Sequence, residues 1–314
     1  MNTKFIISSS PHLRSNEDIA TIMRDVVIAL LPATIASIYY FRIGAVTVIL
    51  SAVIGAVLAE AITQKLMGKE ITINDWSAVV TGLLLAFNIP SSAPWWLPFI
   101  GSVFAIVIVK QLFGGLGHNF MNPALAARAM LLASWPVEMT TWVSPGADAV
   151  STATPLAIIK GVEAVDMAKP SIFDLLIGNV GGCVGETSAI LLIIGGLYLL
   201  YRRVITYVIP TYYVGTVFIL TFLFGGFDLS NSIYHLFAGG LMIGAFYMAT
   251  DYASSPVTYK GQIIYAIGCG ILTTVIRLWG GYPEGVSYSI LLMNVATPLI
   301  DKYINPKVFG EVVR

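Results

Sequence analysis

The chain has 314 residues, of which 57% are hydrophobic and 11% charged, and its mean hydropathy is +0.82. Soluble domains carry about 25% charged residues, so this composition excludes a soluble globule and predicts an all-helical integral membrane protein. Seventeen basic and seventeen acidic residues give a net charge of zero, and nothing in that balance favours nucleic acid as a partner. We therefore expect a single polytopic membrane domain over residues 1–314.

The predicted elements begin after a cytoplasmic N-terminal segment, 1–25, which is polar for too long to be a cleaved signal peptide. Ten apolar segments follow, and each predicts a membrane helix. They lie at 26–41, 43–62, 77–89, 95–113, 122–134, 184–200, 205–225, 233–250, 261–278 and 286–301. The segments 77–89 and 122–134 are shorter than the roughly 20 residues that a full span needs, so they predict either half-helices or short helices buried in the bundle.

Two parts of the chain, 77–134 and 233–301, form an approximate repeat. "VVTGLLLAFNIPSSAP" (79–94) is weakly similar to "FAGGLMIGAFYMATDYASSP" (237–256), and "FGGLGHNFMNPAL" (113–125) to "WGGYPEGVSYSILLMNVATPL" (279–299). Paired helix breaks in repeated halves are typical of transporters whose site lies between the halves. The repeat therefore predicts a site near the membrane interior.

Lysine and arginine are distributed unequally between the predicted loops. If the N-terminus lies inside, the outer loops contain only Arg42, Lys160 and Lys169, whereas the inner loops contain most of the others. Because cytoplasmic loops carry the excess of basic residues, we expect both termini in the cytoplasm. The long segment 135–180 is then extracytoplasmic.

That outer segment contains a hydroxyl-rich stretch, "GADAVSTATPLA" (146–157), with Ser151, Thr152 and Thr154 close to Pro155. Hydroxyls without an adjacent base, metal or histidine make a poor nucleophilic site. A threonine hydroxyl can nevertheless be esterified to a phosphate. The ordinary alternative is a polar linker.

Several blocks, in order along nearly the whole chain, resemble a known family of membrane flavoprotein subunits. The blocks are "SSPHLRS" (9–15), "TGLLLAFNIP" (81–90), "FGGLGHNFMNPALAARA" (113–129), "GNVGGCVGETSA" (178–189), "GGLMIGAFYMATDYASSPVT" (239–258) and "PEGVSYSILLMNVATPLID" (283–301). The family includes the RnfD proteins of Rnf complexes and the NqrB proteins of Na+-translocating NADH:quinone reductases. A chain of this length, without the long N-terminal extension of the reductase protein, is more similar to the Rnf branch.

"DAVSTATPLA" (148–157) resembles the family pattern D-x-x-S-G-A-T, in which the final threonine carries flavin mononucleotide (FMN) through its phosphate. The resemblance implies a covalent phosphoester at Thr154, which would make the chain a phosphoprotein. Position 152 is threonine where the pattern has glycine. Thr152 therefore remains the alternative acceptor.

The resemblance implies a subunit of an ion-translocating ferredoxin:NAD+ oxidoreductase that is not catalytic alone. The complex would lie in the bacterial cytoplasmic (inner) membrane and couple electron transport to Na+ or H+ translocation. Its partners would be the A, B, C, E and G members of the Rnf complex, with a flavin transferase for maturation. This chain has no dinucleotide fingerprint and no iron–sulfur ligand set, so NAD and ferredoxin should bind sister subunits. A second, non-covalent flavin, riboflavin in the relatives, is compatible with the other half of the repeat. The alternative class is a passive solute or ion channel, because the repeated architecture also resembles urea-transporter-like channels.

Six further residues are candidate site residues, three for the flavin and three for ion coupling. Ser151, Asn122 and Arg128 are the flavin candidates, with helix capping as the alternative for Asn122. Arg128 needs a partner, either a phosphate or flavin carbonyl, or else Glu186 or a backbone carbonyl. Glu60, Asp251 and Asp301 are the ion-coupling candidates, because acids near spans mark ion paths. Their alternative is surface pairing with Lys65 or Lys302.

The sequence predicts no catalytic residue and no metal site. The two cysteines, Cys183 and Cys269, cannot supply the about four ligands of a cluster or structural zinc. They are predicted to be small buried hydrophobes. The histidines lack metal-ligand spacing.

Overall fold

A computed structural model describes residues 18–145, 152–161, 169–186 and 188–304 of the protein. Thirteen α-helices lie in these ranges, and the same ranges contain no β-strand apart from an isolated bridge between Pro90 and Cys183. The helices are α1 Ile19–Leu66, α2 Ser77–Ala86, α3 Trp96–Phe104, α4 Pro123–Ser134, α5 Pro136–Thr140, α6 Pro155–Lys160, α7 Ile172–Ile177, α8 Ala189–Tyr201, α9 Val208–Phe224, α10 Leu229–Phe237, α11 Leu241–Ile243, α12 Tyr259–Trp279 and α13 Val286–Tyr303. Two π-helical turns, Ala105–Gln111 and Gly244–Met248, extend α3 and α11.

The prediction of an all-helical protein is confirmed. Of the described helices, α1 and α12 are long and apolar enough to cross a membrane. Helix α1 has 48 residues but is broken at Arg42, whose φ of 49° and ψ of −126° are not helical. It therefore consists of two helices that correspond to the predicted segments 26–41 and 43–62.

The short segments are short helices, as predicted. Helix α2 has ten residues and ends well before the next helix begins. The backbone carbonyls beyond its end accept hydrogen bonds from the protein itself: Val184 N–H donates to Ile89 O at 3.0 Å, and Gly185 N–H donates to Phe87 O at 2.9 Å. Such internal partners allow a helix to stop within a membrane bundle.

Two predicted boundaries are wrong because, in each case, another part of the chain bonds to the backbone at the helix break. The segment 184–200 becomes helical only at Ala189, because residues 183–186 are used to satisfy the end of α2. The segment 233–250 is interrupted after Phe237, where Gly239 has a φ of +70°. The guanidinium of Arg277 donates to carbonyls at this break, including Ala238 O at 3.2 Å. Apolar composition alone does not reveal such breaks.

The helices pack around one large apolar core. Helix α1 packs against α2, α3 and α8, and α12 packs against α9 and α13. Helix α4 joins these two groups because it contacts α2, α3 and α13. Cys183 and Cys269 are free thiols buried in the protein, as predicted. The proposed repeat of 77–134 and 233–301 stays a prediction.

The predicted outer segment, 135–180, contains three short helices in its described parts. At the start of α7, Ser171 and Asp174 form a capping box, with 2.6 Å between Ser171 Oγ and Asp174 Oδ2. Hydrogen bonds from the side chain and then the backbone of Ser171 lower the pKa of Asp174. This cap orders the chain ahead of residues 178–186.

Candidate functional site

Thr154 lies at the start of α6, on the wall of a cavity of about 70 Å³. Its side chain is 3% exposed, and its Oγ1 accepts from Ala157 N–H at 3.3 Å. The other polar and aromatic residues on this wall include Arg128, Trp142, Glu284 and Tyr288. We call this the Thr154 cavity, and it places a threonine hydroxyl next to one guanidinium and several aromatic rings.

Thr152, the alternative acceptor, lies in different surroundings. A Cβ at Gly181 would lie 2.2 Å from Thr152 Oγ1, so this hydroxyl is packed directly against the glycine backbone. Among the described residues, Oγ1 has no hydrogen-bond partner, and Thr152 does not line the Thr154 cavity. Ser151, the third hydroxyl of the stretch, lies outside the described residues.

Arg128 reaches from α4 into a buried polar cluster at the inner side of the Thr154 cavity. Its Nη1 donates to Asn88 Oδ1 at 3.1 Å and to Ser287 Oγ at 2.7 Å. Its Nη2 forms an ion pair with Glu284 and contacts Cys183 Sγ at 3.7 Å. The sequence suggested Glu186 or a backbone carbonyl as a partner of Arg128. Instead, its ion pair is with Glu284.

Glu186 lies in a 3₁₀ turn and not within a membrane helix. Its Oε2 accepts from Cys183 N–H at 3.4 Å, so it supports the turn that meets the end of α2. Cys183, Glu186 and Glu284 bring their ligand atoms within 4.8 Å of one another. The guanidinium of Arg128 contacts two of these three groups, so a cation already lies beside them.

A second cavity, of about 100 Å³, lies at the other end of α4. Lys110, Asn119, Asn122 and Asp251 contribute polar groups to its lining, and we call it the Asp251 cavity. Asn119 Nδ2 donates to Asp251 Oδ2 at 3.2 Å. Asn122 caps α4 by accepting from Ala124 N–H at 3.0 Å, so the capping alternative for this residue is confirmed.

Glu60 is buried beside the Asp251 cavity and is not paired at the surface. Its Oε1 accepts from Lys110 Nζ and from Gln111 Nε2, each at 2.8 Å. The suggested alternative partner, Lys65, is wrong, because Lys110 supplies the charge. The other carboxylate oxygen, Oε2, is buried and has no partner among the described residues.

Asp301 lies apart from the other two ion-coupling candidates. It is partly exposed in α13, and its Oδ1 accepts from Val257 N–H at 3.3 Å. The structure therefore brings Glu60 and Asp251 to the surroundings of Lys110, whereas Asp301 lies elsewhere. The sequence reasoning missed Lys110, Asn88 and Glu284. A lysine inside the apolar segment 95–113 was the available signal for the first.

The Thr154 cavity suits a phosphate-linked flavin in chemistry but only partly in size. It offers a hydroxyl, aromatic walls and a guanidinium that is already ion-paired with Glu284. Pockets that enclose a small molecule usually measure about 300–1,000 Å³, whereas this one measures about 70 Å³. The cavity is smaller than such pockets, so a flavin attached at Thr154 would have to extend beyond it.

Comparison with known proteins places the chain in a family. Residues 6–310 match the NQR2, RnfD, RnfE family, and the chain belongs to it. It is 58% identical over 307 residues to the D subunit of the Na(+)-translocating ferredoxin:NAD(+) oxidoreductase complex of Acetobacterium woodii, covering 97% of this chain and 95% of the relative. It is 49% identical over 318 residues to the D subunit of the proton-translocating ferredoxin:NAD(+) oxidoreductase complex of Clostridium ljungdahlii, covering 98% and 96%.

A third relative is the D subunit of the ion-translocating oxidoreductase complex of Vibrio cholerae, 38% identical over 346 residues, covering 98% of this chain and 99% of the relative. The relatives named here all occupy the same place in such a complex, which agrees with the resemblance to the Rnf branch. The family and the two membrane-length helices make the chain a membrane protein.

Proposed function

We propose that the chain is the membrane flavoprotein subunit of an Rnf-type ferredoxin:NAD+ oxidoreductase and carries FMN as a phosphoester on Thr154. The observation that carries this proposal is the position of Thr154. The motif threonine lines a cavity together with Arg128 and aromatic side chains, whereas Thr152 is packed against Gly181. The names of the relatives supply the class of complex.

The residues around Thr154 hold and orient a cofactor. When bound, the flavin would supply the electron-transfer chemistry. Thr154 would fix its phosphate, and Arg128, ion-paired with Glu284, lies on the same cavity wall. Trp142 and Tyr288 provide aromatic surface. No general base is required at Thr154, because a separate flavin transferase would activate the flavin during attachment.

The location of the protein is part of the same proposal. We place the chain in the bacterial cytoplasmic membrane, with both termini in the cytoplasm and segment 135–180 outside, because the basic residues favour that orientation. About ten membrane segments in two halves would cross or enter the bilayer. The remaining members of the Rnf complex, A, B, C, E and G, would bind ferredoxin and NAD and hold the clusters.

Ion coupling is proposed for the surroundings of Lys110. Glu60 and Asp251 are buried acids near this lysine, and one carboxylate oxygen of Glu60 has no described partner. Acids in such positions mark ion or proton paths. Asp301 is the weaker candidate because it lies apart. A non-covalent flavin such as riboflavin is proposed from the family resemblance alone, because the Asp251 cavity, at about 100 Å³, is smaller than a pocket that encloses a small molecule.

The competing class, a passive channel, makes a different prediction for a simple experiment. The purified chain is run on a denaturing gel and viewed under ultraviolet light. A covalent flavin gives a fluorescent band at about the mass of this chain, 33.8 kDa, whereas a channel without a covalent flavin gives none.

The acceptor is tested by two matched variants on the same gel. Thr154→Val keeps the shape of the side chain and removes the oxygen, so the band should lose its fluorescence while the protein still accumulates in the membrane. Thr152→Val is the control and should remain fluorescent. Fluorescence retained by Thr154→Val and lost by Thr152→Val would move the assignment to Thr152.

A further inference from the structure

The two cavities lie at opposite ends of one short helix. Residues Pro123 and Ala124, at the start of α4, line the Asp251 cavity, whereas Arg128 and Leu132 line the Thr154 cavity. A helix rises 1.5 Å per residue, so Ala124 and Arg128 are separated by only about 6 Å along the axis of α4. The two cavities are therefore separated by a thin layer of the protein.

The side chains of that layer are polar and converge on one guanidinium. Arg128 binds Asn88 Oδ1, Ser287 Oγ and Glu284 Oε2, and these acceptors come from the end of α2, from α13 and from the loop before α13. Arg128 is 8% exposed, Asn88 3% and Ser287 6%. Three separate parts of the chain thus supply oxygen ligands, and a covalently held cation occupies the position among them.

A guanidinium in this position blocks small cations in two ways. It has donors but no acceptor and does not lose its proton in proteins, so it cannot relay a proton from one cavity to the other. A sodium ion arriving from either side needs oxygen ligands, and Asn88 Oδ1, Ser287 Oγ and Glu284 Oε2 are already engaged by Arg128. Glu284 pairs with the arginine, so the charge of the guanidinium is balanced without a bound ion.

We propose that Arg128, held by Asn88, Ser287 and Glu284, closes the chain to Na+ and H+ along α4. The two cavities would then be separate chambers, and an ion in the Asp251 cavity could not pass along α4 to the Thr154 cavity. The proposal requires only that the chain lies in a membrane. It does not rest on the flavin at Thr154.

The experiment uses the whole complex reconstituted in vesicles, without ferredoxin or NAD, so that turnover contributes nothing. Passive efflux of ²²Na+ and of protons is measured for the parent and for Arg128→Met, which removes the cation and leaves its oxygen partners free. We expect the leak to rise by about tenfold or more, since lowering a barrier by about 1.4 kcal/mol is enough for that factor. Arg24→Met is the matched control, because Arg24 is exposed and its hydrogen bonds to described residues stay within α1; it should leak no more than the parent.

Arg128→Lys separates the charge from a general loosening of the bundle, because it keeps a cation at the layer. It should leak clearly less than Arg128→Met. An Arg128→Met complex that assembles with all its subunits and stays as tight as the parent would overturn the proposal. So would equal leaks in the Met and Lys variants.

The parent chain alone provides a test that does not depend on any variant folding, because the other subunits of the complex are then absent. Reconstituted in vesicles, it should leak ²²Na+ and protons no faster than protein-free vesicles do. A parent chain that leaks faster would also overturn the proposal.

Discussion

At the scale of single residues, the ion pair between Glu60 and Lys110 buries two charges almost completely. Their side chains are 1% and 2% exposed, and Lys110 Nζ also donates to Ser77 Oγ at 2.6 Å. Taking both charges out of water is costly, and the pair offsets that cost only while both members are present. Such a pair is weak evidence for stability, but the loss of one member alone should lower the free energy of unfolding strongly.

Removing one member of this pair should destabilise the protein strongly. Lys110→Met leaves an uncompensated buried carboxylate, for which the expected cost is about 3–5 kcal/mol. Thermal unfolding of the detergent-solubilised chain measures the change. The double variant Glu60→Gln with Lys110→Met should recover much of the loss, and Lys65→Met, on the exposed surface of the same helix as Glu60, should have little effect. A double variant as unstable as the two single changes combined would contradict this description.

Buried charged residues can be identified from the sequence, whereas their partners cannot. Arg128 and Glu60 were identifiable because a charge in an apolar segment needs a partner, but their partners were not. Glu284 follows Arg128 by 156 positions and Lys110 follows Glu60 by 50. Local patterns carry no information about contacts at such separations. The capping role of Asn122 was easier to predict, because a cap bonds to the backbone of its own helix.

At the scale of elements, the break after α2 is held by close packing against another part of the chain. The turn at 183–186 meets the end of α2 so closely that a Cβ at Gly185 would lie 2.3 Å from Phe87 Cβ. Only glycine fits there without a shift of the backbone. The glycine of the motif "GNVGGCVGETSA" (178–189) that lies at position 185 therefore has a packing role.

Gly185→Ala should weaken this contact and loosen the end of α2. Overpacking in a closed site costs typically about 1–3 kcal/mol, and the melting temperature of the solubilised chain should fall accordingly. Gly215→Ala is the matched control, since nothing lies within 4 Å of a Cβ at that glycine in α9. Equal melting temperatures for the two variants would show that the turn can move away.

Element boundaries were predicted well where a helix ends by itself and poorly where another part of the chain ends it. The segments 261–278 and 286–301 lie within α12 and α13. The interruption after Phe237 depends on Arg277, a residue about 40 positions away that binds the carbonyls at the break. Hydrophobic periodicity reports burial, and both halves of an interrupted helix are buried.

At the scale of the whole molecule, the proposed orientation puts Thr154 and its cavity on the outer face of the membrane. The prediction is tested by placing a cysteine at position 150 and labelling intact cells with a membrane-impermeant maleimide. The native thiols provide a low background, because Cys183 and Cys269 are 1% and 0% exposed. Labelling in intact cells is expected, because segment 135–180 is proposed to lie outside.

A matched cysteine at position 69, in the predicted inner loop after α1, should react only after the membrane is opened. The reverse pattern, with position 69 reactive in intact cells and position 150 protected, would overturn the orientation. It would also remove the proposed outer location of the flavin.

FMN attachment at Thr154 is tested by peptide mass spectrometry of the parent chain, purified from cells that contain its flavin transferase. The peptide that spans Thr154 should carry the added mass of FMN linked through its phosphate with loss of water, and fragmentation should place that mass on Thr154. The same peptide found throughout at its unmodified mass, in a complex that transfers electrons, would contradict the account.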